Sequence, residues 1–165
     1  MALTLMRTTI AATVCFYAAL CSAEQIDQVL VNKSELRLYL LSQGEVVRAY
    51  DISLGDNPSG HKVRQGDERT PEGDYVLDFR NENSRFYKSI RISYPNEADI
   101  RRAERGRYDP GGDIFIHGLP NRFSARTADF SGTNWTDGCI AVNDNEQMEE
   151  IWRLVELGTP IRILP

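Results

Sequence analysis

Leu36-Arg37-Leu38-Tyr39-Leu40-Leu41-Ser42-Gln43-Gly44-Glu45-Val46-Val47-Arg48-Ala49-Tyr50-Asp51-Ile52 decides the fold class. Two runs alternate apolar and polar side chains, and that period of two lines opposite faces of an extended strand. The break between them ends in glycine, the form of a tight hairpin. Upstream, Val29-Leu30-Val31 adds a strand across the turn Asn32-Lys33-Ser34, so the region reads as a β-meander.

Downstream, Gly55 to Gly73 is a long polar, glycine-rich stretch, a length that compact domains keep for function or disorder. Strand patterning resumes at Tyr75–Phe79, Ser89–Ser93, Ile114–His117, Gly138–Val142 and Ile161–Ile163. Helices are expected over Glu97–Arg105, ended by Gly106, and over the run with Met148, Ile151, Trp152 and Val155 at helical spacing, capped by Asn143 with Glu146 three residues on. Roughly eight strands and two short helices, without strand–helix alternation, predict a mainly β domain closed as a sandwich or barrel.

The chain has 165 residues, enough for one domain. Its first two dozen residues stand apart: Arg7, an apolar run from Thr8 to Leu20, then Cys21-Ser22-Ala23 have the layout of a secretory signal peptide. Residues 1–23 are read as that leader and 24–165 as the working domain, exported to the periplasm or cell envelope. The run is too short to favour a membrane anchor. Lipidation at Cys21 is the alternative, against which the bulky Leu20 counts. Cleavage would leave 18 basic against 24 acidic residues, a balance that argues against nucleic acid. Arg101, Arg102, Arg105 and Arg107 interleave with Glu97, Asp99, Glu104 and Asp109, which reads as a solvated helix face.

Cleavage would also remove Cys15 and Cys21 and leave Cys139 alone. An unpaired thiol in an oxidising compartment is either a buried apolar group or a reactive one. Cys139 follows Gly138, and His117 ends an apolar run before Gly118. An imidazole can activate a thiol as base or as the cation of an ion pair. The Gly118 carbonyl could hold the second ring nitrogen, and backbone N–H groups at Gly138 could face an oxyanion. Two other readings compete: a zinc set of Cys139, His117 and His61, which lacks the usual ligand spacing, and a non-catalytic wall-binding module with Cys139 buried.

His117-Gly118 followed by Thr136-Asp137-Gly138-Cys139-Ile140 resembles the signature of the L,D-transpeptidase catalytic domain family (YkuD-type). Leu36–Tyr39, Leu54-Gly55, Gly66-Asp67 and Thr70-Pro71-Glu72-Gly73 extend the resemblance over residues 26 to 164. It implies a β-sandwich and a cofactor-free cysteine enzyme acting on peptidoglycan stem peptides. Cys139 would be the nucleophile, His117 the base, Gly118 its orienting carbonyl, and Gly138 and Cys139 the oxyanion amides, with Thr136 and Asp137 shaping the loop. The acyl group would pass to an amine, a lipoprotein's among them, or to water. Many family members carry arginine where Ala141 stands; Arg122 and Arg126 are the substitutes proposed by charge, and Phe123, Phe130 and Trp135 a lid over the site. His61, Asp67 and Glu68 read as solvated loop residues, and Thr70, Pro71 and Gly73 as a turn at the rim of the site.

Overall fold

The computed structural model describes residues 25–121, 130 and 132–165. The expected leader, Cys15, Cys21, Arg122, Phe123 and Arg126 lie outside them. Eight strands appear in chain order: β1 (Gln28–Asn32), β2 (Arg37–Ser42), β3 (Glu45–Ser53), β4 (Gly73–Asn81), β5 (Ser89–Ile92), β6 (Phe115–His117), β7 (Ile140–Val142) and β8 (Pro160–Leu164). Two helices join them, α1 (Glu97–Gly106) and α2 (Asn145–Leu154). The fold is mainly β with two short helices, as the patterning predicts.

The strands form a closed ring in the order β1-β2-β3-β7-β6-β5-β4-β8. The nine-residue strands β3 and β4 make this closure. The first part of β3 pairs with β2 and its last two residues with β7. Likewise β4 pairs first with β8 and then with β5. Each long strand therefore belongs to two sheets, with a register shift at Leu77/Phe79 where β4 changes partner. The hairpin turn forms at Gln43-Gly44, both with positive φ (52° and 82°), the backbone that a twisted two-residue loop requires.

Leu38, Leu40, Ile52, Leu77, Ile90, Ile116, Ile140 and Ile161 fill the interior, and α2 lays Met148 and Ile151 against it. Two helix ends differ from expectation. Asp144, not Asn143, caps α2 by accepting the Glu146 N–H, while Asn143 Oδ1 accepts the Ser53 hydroxyl at 3.0 Å. Arg107, not Gly106, takes the left-handed cap of α1; a side chain at Gly106 would collide with the Tyr108 ring.

Candidate active site

The parallel pairing of β6 with β7 places Ile116 beside Ile140 and His117 beside Ala141. In that register Cys139, one residue before β7, falls opposite Phe115. Residues two apart on a strand share a face, so His117 and Cys139 emerge on the same side. Both line one cavity of about 990 Å³.

His117 is buried between aromatic rings, with Phe86 at 4.6 Å and Trp135 edge-on at 5.7 Å. A carbonyl only accepts, so the 2.7 Å contact between Nδ1 and Gly118 O puts the proton on Nδ1 and leaves a lone pair on Nε2. Burial lowers the ring's pKa to about 4, against a smaller opposing pull from the Gly118 carbonyl. The imidazole is therefore neutral at pH 7. Burial pushes the half-buried Cys139 thiol up; the Phe115 amide opposes that and the Asp137 charge adds to it. At rest the thiol points to the Asp113 carbonyl at 3.6 Å. Of the two forms of activation, the neutral thiol with a neutral base is the one this environment favours.

Backbone close packing sets the loop before β7. A Cβ at Gly138 (φ 122°) would lie 2.5 Å from Arg69 O, and one at Gly55 would run into Glu68 O. Three chain segments thus cross where side chains do not fit. Thr136 is buried, bridges Gly55, and its Oγ1 donates to Cys139 O at 2.8 Å. Gly138 N–H donates to Thr136 Oγ1 at 3.1 Å. The amide expected to face an oxyanion is thus bonded within the turn. Asp137 is exposed at the rim. A Cβ at Gly118 would clash with Asn145 Oδ1 and Tyr87.

Trp135 lines the cavity and packs on Phe130 at 4.9 Å. Phe86 has no signal in the sequence. It reaches His117 because Gly118 N–H donates to Phe86 O, and Asn121 holds both Arg85 O and the Tyr87 N–H.

Within the 55–73 stretch Glu68 is exposed as read, whereas Thr70, Asp67 and His61 depart from their reading as rim and solvated loop residues. Thr70 is buried and its Oγ1 accepts the Gly55 N–H. Asp67 accepts from the amides of Val63, Arg64 and Arg69 and pairs with buried Lys62 at 2.9 Å. Burial raises its pKa, but these donors more than offset that and hold it at about 2. His61 bonds the Glu72 N–H and lies 3.0 Å from Asp99, itself buried at the start of α1 and bonded to Tyr75. His61 therefore does not join Cys139 and His117, and among the described residues no group of three His, Cys, Asp or Glu is placed to hold a metal.

The model of the L,D-transpeptidase catalytic domain matches residues 26–163. This chain belongs to that family. YafK of Escherichia coli strain K12, provisionally named an L,D-transpeptidase, is 34% identical over 96 residues, 55% of this chain and 37% of YafK. Among solved structures, the helical cell shape determining protein Pgp2 from Campylobacter jejuni is 27% identical with a TM-score of 0.59, over 84% of this chain and 47% of that one. The L,D-transpeptidase from Xylanimonas cellulosilytica shares the fold at 16% identity and a TM-score of 0.55, over 86% of this chain and 62% of that one. This L,D-transpeptidase-family chain thus spans little more than a third of YafK's length and about half of Pgp2's.

Proposed function

We propose that this chain is an exported cysteine acyltransferase that acts on peptidoglycan stem peptides in the cell envelope. The observation that carries this reading is the fixed tautomer of His117, whose Nε2 lone pair is available in the cavity that holds the Cys139 thiol. As Sγ attacks the donor carbonyl, the thiol proton passes to Nε2. The C–N bond then breaks, the departing amine takes that proton, and a thioester remains on Cys139. An acceptor amine attacks the thioester, gives a proton to Nε2, and the proton returns to sulfur as the thiolate leaves.

A neutral base suits this cycle better than an ion pair, because proton transfer accompanies bond formation. The Cys139 amide, beside the reacting sulfur, is the oxyanion donor on this reading. Phe86 and Trp135 keep water from the imidazole.

Incubation with a carbapenem followed by intact-mass measurement is expected to show one covalent adduct, absent from Cys139→Ala. An unmodified wild-type protein would sink the thiol mechanism. Digestion of purified sacculi with identification of the muropeptides separates the outcomes: new cross-links or amine adducts mark transfer, and shortened stems mark hydrolysis.

A further inference from the structure

Among the described residues, three acids line the cavity, Glu68, Asp113 and Asp137. Of the two cations among the described residues of its wall, Lys62 is paired with Asp67. The other is Arg85, whose exposed side chain has no ion pair or hydrogen bond among the described residues. Its backbone, in contrast, is clamped. Ser84 O accepts from Asn121 Nδ2 at 2.9 Å, Arg85 O from the Asn121 N–H at 3.0 Å and Phe86 O from the Gly118 N–H at 3.2 Å, while the Tyr87 N–H donates to Asn121 Oδ1 at 2.7 Å. A guanidinium unpaired among the described residues is thus mounted on a fixed segment of the wall, next to the residue whose ring touches the His117 imidazole.

We propose that Arg85 binds the carboxylate of the acyl donor through a charge-assisted, two-pronged contact. Among the described residues, the ionised groups facing the cavity without this cation would be acids and the Lys62–Asp67 pair, which repel a carboxylate. The assignment rests on the proposed use of a peptide donor, and it makes a free carboxylate, rather than the peptide chain alone, the group by which the His117 side of the cavity selects its ligand.

The test measures binding of a stem tetrapeptide with a free C-terminal carboxylate, and of its C-terminal amide, to Cys139→Ala, which binds without turnover. The carboxylate form is expected to bind about tenfold more tightly. Arg85→Ala in that background should abolish the preference, leaving the amide affinity unchanged, and Arg85→Lys should restore part of it. Salt should weaken carboxylate binding only where Arg85 is present. Equal affinity of the two peptides, or equal losses for both in Arg85→Ala, overturns the assignment. Iodoacetamide alkylation of Cys139 in Arg85→Ala, followed by peptide mapping, should proceed at the wild-type rate, and a changed rate would point to a disturbed site instead. Selective binding by Cys139→Ala without acyl transfer by the wild type would instead refute the proposed reaction and leave Arg85 as the carboxylate site.

Discussion

With a pKa of about 4 against an ordinary 6.5, His117 resists protonation because burial leaves little solvent at the ring to stabilise a charge. The consequence for stability has a definite sign. An unfolded chain takes up a proton at this residue as pH falls through 6.5, and the folded one does so only near 4. The contribution is present in full above 6.5 and is lost as pH falls to about 4, on the order of 3 kcal/mol in all. Urea unfolding of wild type and His117→Gln at pH 7 and pH 4 should show the wild type losing more over that interval by about this amount. Parallel losses would mean that the ring is better hydrated than its neighbours imply. The same residue was legible in the sequence through its place between an apolar run and a glycine. Phe86 was not, since its position depends on bonds to Gly118 and Asn121 across a loop without periodicity.

At the level of strands and helices, periodicity carried nearly all the information. Alternation marked β1, β2 and β8, where one face looks into a closed interior, whereas β7 is buried at every position and was marked by an apolar run. Helix ends were read less well, because one residue decides them and two adjacent candidates can compete. Asn143 and Asp144 illustrate this: the Ser53 hydroxyl bonds Asn143, and Asp144 caps α2. Asp144→Ala is therefore expected to lower stability by about 1 kcal/mol through loss of the cap. Thermal unfolding measures it, and wild-type stability in that variant would return the capping role to Asn143. Asp67 was misread for a related reason. A charged residue in a polar loop looks solvated until the backbone amides that surround it are seen.

Across the whole molecule, the 55–73 segment is as much a part of the site as β6 and β7. Its Glu68–Arg69 backbone packs against Gly55 and Gly138, and its shape depends on Asp67. Asp67→Ala would leave buried Lys62 without its carboxylate partner and several amides without their acceptor, at an expected cost of about 3 kcal/mol. Limited proteolysis should then cut within 55–73 well before the barrel opens, and Cys139 labelling should slow in step. Intact digestion patterns would show that the loop holds its course by other means.

The order of the ring also has a consequence in time. β8 is the last of the eight strands in the chain, and it alone joins β1 to β4, running parallel to the first and antiparallel to the second. A nascent polypeptide that has not yet released residues 160–164 carries two open edges, one at its earliest strand and one at mid-chain. Closure must wait for the final contact, between residues more than 130 positions apart, such as Val29 and Ile161. Such distant pairing makes the last step slow. Until it occurs the exposed edges are open to other chains, so whatever accompanies this polypeptide before it folds has those two strands to keep apart.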